Sequence, residues 1–307
     1  MSVALVDFWI IHGLIQEGDT WFTEAVKRHS PGDALRAHAL SEGAWLSYYR
    51  VDLARASSRM GEALEIYREL HDTKGAGEIL TRLGQLDVLQ GDLVAANAKY
   101  DEGLALSGQA GDTRSVQRAL RSKGQVAALQ GNHAQAQVHF RDAFPLMESL
   151  GDQRERMYML QWWAVTELDG GAFESARARL SESLAIAEAL DFPIGLASTI
   201  RYFAALAAAQ SQPSRALRLA GASETLAEAF DVPPVRSMEP LIQRHLEQSR
   251  RDVGAERAAK YRTEGRAMPR DKAIDYALEH NPKGRGRKNQ AIGELIRQPS
   301  IRRRYSR

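Results

Sequence analysis

Asp72–Asp112 reads DTKGAGEILTRLGQLDVLQGDLVAANAKYDEGLALSGQAGD and Asp112–Asp152 reads DTRSVQRALRSKGQVAALQGNHAQAQVHFRDAFPLMESLGD, so the second stretch repeats the first at an offset of 40 residues without a gap. The register extends both ways. Ala56, Ala96, Ala136, Ala176 and Ala216 fall on one position of the 40-residue period, and Leu40, Leu80, Leu120, Leu160 and Ile200 on another. A third column, Leu64, Leu104, Phe144 and Leu184, stays apolar until Glu224 breaks it. Within the first stretch Ile79, Leu80, Leu83 and Leu86 recur at three- and four-residue spacing, which places them on one face of a helix. Gln90-Gly91-Asp92 reads as the turn into a second helix: Gly91 can adopt the left-handed conformation that ends one helix, and Asp92 can cap the next. Gly131-Asn132 repeats that chemistry, and Gly111-Asp112 and Gly151-Asp152 separate one unit from the next.

A column of alanine is the residue choice for antiparallel helices that cross closely, where a larger side chain would force the backbones apart. Neither helix of such a hairpin can bury its apolar face alone, so stability requires stacking on neighbours and atypical units at the ends. The expected organisation is an irregular entry hairpin over residues 1–31, five repeats of 40 residues over 32–232, capping helices over 233–280, and a basic, disordered tail over 281–307. Pro269 suits a first helical position in the capping region.

The 307 residues are 44% hydrophobic and 26% charged, a globular composition. Cysteine is absent, which excludes a disulfide framework and thiolate zinc sites and fits a cytoplasmic location. Asp7 interrupts the apolar N-terminal stretch and no basic segment precedes it, against a signal peptide; the Ala-rich segment from Leu196 to Ala209 contains Arg201 and is too short for a membrane span. Charge is unevenly placed: from Asn281 to Arg307 nine Lys and Arg face Glu294 alone, so a tail of +8 follows a body of −6.

The columns Leu83-Gly84, Ala96 and Tyr100, with the matching Gly124, Ala136 and Phe140, resemble the tetratricopeptide signature lengthened to 40 residues. The resemblance implies an all-α, tetratricopeptide-like α-solenoid of helical hairpins. The longer unit is similar to the helical-repeat region of bacterial LuxR-type regulators that carry a signal-transduction ATPase, as are FWIIHGLIQEGDTWFTEAV from Phe8 to Val26, the repeated LGD and QGD turns, and EGRAMPRDKAIDYALE from Glu264 to Glu279. Two departures stand out. The chain has no G-x-x-x-x-G-K-[ST] phosphate loop, and the 27 residues after His280 do not accommodate a helix-turn-helix. The resemblance therefore implies a sensor or interaction arm without motor or DNA reader: a truncated regulator, a degenerate copy, or a free-standing scaffold built from the same arm.

Tetratricopeptide arrays present the first helix of each hairpin along a concave groove. That implication selects Trp45 and Tyr48, then Glu78, Thr81 and Gln85, then Arg118, Arg121 and Gln125, then Tyr158 and Gln161, then Arg201 as residues facing a protein, a peptide or a small-molecule effector. Aromatics, amides and arginines can stack on a ring or form forked hydrogen bonds to a carboxylate or phosphate. Arg118, Arg121 and Arg201 either converge on one anion or pair with glutamates of adjacent helices. Of Trp162 and Trp163, about 100° apart on a helix, one is expected in the core and the other near the groove. Catalytic, metal and cofactor sites are not expected: the eight histidines lack H-E-x-x-H spacing, and G-x-S-x-G is missing. In the tail, Pro282-Lys283-Gly284-Arg285-Gly286-Arg287-Lys288 resembles an AT-hook, which implies minor-groove DNA contact through Lys283, Arg285, Arg287 and Lys288, although Lys288 replaces the usual proline. The same composition fits a disordered extension.

Overall fold

A computed structural model describes residues 6, 8–9, 14–229 and 238–279. Among the described residues there is no strand, and the chain is an all-α repeat of helical hairpins. It divides into two compact units, Met1–Leu150 and Gly151–Arg307. The first unit holds an entry helix α1 (Ile15–Arg28) and three hairpins, α2 (Ala34–Tyr49) with α3 (Leu53–Glu69), α4 (Thr73–Gln90) with α5 (Leu93–Gln109), and α6 (Thr113–Leu129) with α7 (His133–Leu150). The second holds α8 (Gln153–Asp169) with α9 (Phe173–Ala189) and α10 (Pro193–Ala209) with α11 (Pro213–Ala229), followed by α12 (Glu239–Val253), α13 (Ala255–Arg266) and α14 (Arg270–Leu278).

The hairpins end on a common device. Residues 51, 71, 91, 111, 131, 151, 171, 191 and 211 all have positive φ, one at the close of each helix from α2 to α10 and twenty residues apart. Five are glycine, which adopts this conformation without steric cost; Val51, His71, Asp191 and Ser211 adopt it against their side chains. After five of these turns an aspartate caps the next helix, whereas Ala172 and Phe192 make no side-chain cap. Asp92 Oδ1 accepts from the Ala95 N–H at 2.9 Å, and Asp52, Asp72, Asp112 and Asp152 accept in the same way three residues on.

All five register alanines are fully buried. The neighbouring glycines show how closely the helices cross: a Cβ at Gly84 would stand 2.5 Å from Tyr100 Cε1, and one at Gly124 would stand 2.6 Å from Phe140 Cε1. Each ring therefore packs directly on the backbone of the first helix of its hairpin, and both rings are fully buried. The leucine column is less uniform, since Leu120 is only half-buried.

Special contacts mark the ends. In the first unit, the buried carboxylate of Asp19 on α1 meets Arg59 at 2.5 Å, Arg55 at 3.2 Å and Arg50 at 3.7 Å, and Arg59 also donates to Gly43 O and Thr23 Oγ1. This ties the entry helix to the first hairpin through a buried charge that must stay paired. In the second unit, α13 lies against α11 along glycine: a Cβ at Gly221 would be 2.1 Å from Arg262 O, and one at Gly265 1.9 Å from Arg218 O. There Glu224, which breaks the apolar column, pairs with Arg262 at 2.7 Å and Arg266 at 3.5 Å. Pro269 falls one residue earlier than expected, as the N-cap of α14. Residues 230–237 and 280–307 lie outside the described residues, so the expectations placed on the basic tail, Lys283, Arg285, Arg287 and Lys288 included, are not addressed by the fold.

Candidate functional site

On the first helices of the first unit, opposite charges alternate from α2 through α4 to α6. Arg82 Nη2 donates to Glu42 Oε1 at 3.0 Å and to Glu78 Oε1 at 2.7 Å, while its Nη1 donates to Ser41 Oγ at 2.9 Å. Glu78 in turn lies 3.6 Å from Arg118 Nη1. Burial works against the Arg82 charge, but Glu78 and Glu42 outweigh it and raise the guanidinium pKa. The Arg82 guanidinium holds the Glu78 carboxyl below the usual carboxylate range, against burial and with help from Arg118. Arg82, nearly buried and bonded to Glu42, Glu78 and Ser41 at once, holds the buried part of this row in one arrangement.

An aromatic cluster adjoins the charges. Trp45 and Tyr48 stack with centroids 4.8 Å apart and planes 6° apart, and Tyr49 meets both edge-on at 5.8 and 5.7 Å. The Arg82 guanidinium carbon lies 5.5 Å from the Trp45 ring centroid, so one side chain fixes both the charges and the aromatics. Trp45 and Tyr48 are half-buried against the core and Tyr49 is exposed.

Of the remaining positions expected on this face, Gln85, Arg118, Arg121 and Gln125 are half-buried. The Gln85 Oε1 atom is buried and accepts no hydrogen bond. Thr81 is buried and spends its hydroxyl on Gly77 O at 3.1 Å, so it serves the helix and not the surface. Glu42, Arg82 and Tyr49 were not singled out by sequence reasoning. A signal for the ladder was present: Glu42 and Arg82, like Glu78 and Arg118, are opposite charges one 40-residue period apart.

The second unit departs from expectation. Every residue from 159 to 168 on α8 is buried, so choosing an exposed side fails there. Gln161 is 1% exposed and donates to Ser198 Oγ at 3.1 Å and Thr199 Oγ1 at 2.9 Å, because α10 packs on that side of α8. Trp162 and Trp163 are both buried, and the Arg179 guanidinium carbon lies 3.4 Å from the Trp163 ring centroid. Tyr158 is half-buried, edge-on to Phe192 at 6.3 Å. Arg201 is held by both carboxylate oxygens of Glu239 on α12. Of the two alternatives for the arginines, pairing with a glutamate of another helix is what Arg118 does with Glu78 of α4 and Arg201 does with Glu239 of α12. Asp169, at the end of α8, receives Arg244 and His245 of α12; burial alone would raise its pKa, but these hydrogen bonds hold it at about 2.

The open, ordered polar face is therefore that of α2, α4 and α6. Two surface depressions lie elsewhere, one beside Trp21 and Arg28 on α1, the other between Asn97, Gln130 and His139.

The repeat architecture is shared with a solved protein. The crystal structure of BtubC (BKLC) from P. vanneervenii superposes with a TM-score of 0.57 at 18% sequence identity, covering 71% of this chain and 92% of that one. At that identity the likeness is one of fold. The TPR2AB-domain:pHSP90-complex of yeast Sti1 aligns with a TM-score of 0.33 at 16% identity, over 81% of this chain and 96% of that one. No family model and no curated protein matches the chain. Among the described residues no group of three or more His, Asp or Glu is placed to hold a metal ion, and no helix is long and apolar enough to cross a membrane.

Proposed function

We propose that the chain is a non-catalytic helical-repeat interaction module that takes a protein or peptide on the α2–α4–α6 face of its first unit. The observation that carries this reading is Arg82, whose guanidinium holds Glu42, Glu78 and Trp45 in one arrangement beside the half-buried Tyr48, Gln85 and Arg118. A surface whose groups are already fixed loses little side-chain freedom when a partner arrives, so more of the contact energy becomes affinity. An extended segment suits such a face better than a small effector, which favours enclosed pockets.

The finer reading follows the resemblance in the 40-residue unit and in the Glu264–Glu279 segment: the sensor or interaction arm of a LuxR-type regulator. The alternatives are a free-standing scaffold and a role for the +8 tail on nucleic acid. The test is capture from the source cell with tagged full-length wild type and with a Gln85→Ala/Arg118→Ala double variant of matched circular dichroism and Tm. Proteins retained by wild type and lost by the double variant support the reading. The same set retained by both overturns it.

A further inference from the structure

Two arginines in the second unit are buried, and among the described residues no carboxylate is bonded to either. Arg215 of α11 is 3% exposed and Arg177 of α9 is 8% exposed. Arg215 Nη2 donates to three main-chain carbonyls at the end of α14: Tyr276 O at 2.6 Å, Ala277 O at 3.1 Å and Glu279 O at 2.7 Å. Its guanidinium carbon also lies 5.1 Å from the Tyr276 ring centroid. These contacts account for Arg215 as a cap on the free carbonyls and negative end of α14.

They do not account for Arg177. Its bonds are long, Nη1 to Glu279 O at 3.4 Å and Nη2 to Gln210 Oε1 at 3.2 Å. Arg177 Nε and Arg215 Nη1 are both buried and donate to no acceptor among the described residues. The nearest opposing charges, Glu174 for Arg177 and Glu279 for Arg215, act through space, and the two guanidiniums repel each other. Burial depresses the pKa of both arginines, and for Arg215 the nearby Arg177 depresses it further. A buried cation normally keeps an anionic partner, since the cost of leaving water is otherwise unrecovered. Helix ends supply about half a negative charge each, so the ends of α14 and α10 add to Glu174 and Glu279 in offsetting the two cations, yet none of these groups accepts from Arg177 Nε or Arg215 Nη1.

We propose that Arg177 and Arg215 form a binding site for one small oxyanion, a phosphate or a carboxylate, which accepts from Arg177 Nε–H and Arg215 Nη1–H. Guanidinium donors fit the planar or tetrahedral oxygens of such groups. Access requires the end of α14 to lift, because both donor atoms are sealed from solvent. Binding should therefore be slow and should stabilise the closed arrangement. The site is separate from the α2–α4–α6 face, and neither reading depends on the other.

The test titrates full-length protein with inorganic phosphate and, separately, with acetate at constant ionic strength, with chloride replaced stoichiometrically. Calorimetric titration gives the stoichiometry and scanning calorimetry the Tm. One site per chain is expected, with titration heat that saturates and a Tm that climbs with the logarithm of ligand concentration, by roughly 5 °C at a hundredfold excess over Kd. Saturation by phosphate alone assigns a phosphate ligand, and by acetate alone a carboxylate. Arg177→Lys keeps the charge but lacks the Nε–H, and should lose at least tenfold in affinity. Heat without saturation for both probes, or an equal Tm response in wild type and Arg177→Lys, overturns the site and leaves the pair as a helix cap.

Discussion

Gly84→Ala isolates the close packing on which the hairpins rest. The added Cβ would lie 2.5 Å from Tyr100 Cε1 and 2.9 Å from both Cδ1 and Cζ, where ordinary contact begins near 3.4 Å. The Tyr100 ring is fully buried and packs with Ala96 and Val126, so relief means moving the ring or separating α4 from α5 by about an ångström. Overpacking of this kind costs about 1–3 kcal/mol, and replacing a mid-helix glycine by alanine returns about 1 kcal/mol in helix propensity. The net expectation is a loss of up to roughly 2 kcal/mol, or a fall in Tm of up to roughly 4 °C. Gly61→Ala is the matched control: its Cβ meets nothing within 4 Å, so only the propensity gain remains and the Tm should rise by roughly 2 °C. The assay is urea and thermal unfolding of both variants beside wild type, followed by a double-mutant cycle with Tyr100→Leu, which should recover part of the Gly84→Ala loss. If Gly84→Ala stabilises as Gly61→Ala does, the ring does not pack on the α4 backbone and the reasoning fails.

Ala136→Leu should cost roughly 1–3 kcal/mol for the same reason, and a neutral result in urea unfolding would place Ala136 outside a helix crossing. Asp19→Ala removes the one buried carboxylate bonded to Arg59, Arg55 and Arg50, and should cost about 3 kcal/mol; amide exchange on α1 should rise before that of α4. Asp169 has a folded pKa of about 2, below its ordinary value of 3.8, so its contribution is complete above about pH 4 and is lost as pH falls toward 2. Asp169→Asn should therefore narrow the stability difference between pH 5 and pH 2.5, and an unchanged acid profile would mean that the contacts from Arg244 and His245 do not stabilise the fold.

The repeat was legible because its evidence is periodic. Small residues recur where backbones meet, apolar residues recur where faces meet, and glycine with aspartate recurs where helices hand over. Val51, His71, Asp191 and Ser211 were not legible as left-handed residues, since only glycine announces that conformation by its chemistry. Glu224 was visible as a break in a column, but its partners Arg262 and Arg266 lie on a helix outside the register. For the candidate site, choosing the polar side of each first helix selected half-buried residues on α4 and α6, where periodicity leaves one side open, apart from the buried Thr81, and met a helix buried on all sides from 159 to 168 on α8. Arg177 and Arg215 show the same limit from the other direction: arginine in sequence reads as surface, and only the packing of α14 reveals these two as interior.

The central claim is that a partner is held on the first-helix face of the first unit. The direct test places a photo-crosslinking amino acid at Tyr49, exposed beside Trp45 and Tyr48 on that face, or at Val94, which is 78% exposed on α5, and irradiates the full-length protein in its source cell. The expected result is a discrete crosslinked partner from position 49 and none from 94. A partner captured equally from both, or from 94 alone, would contradict the claim.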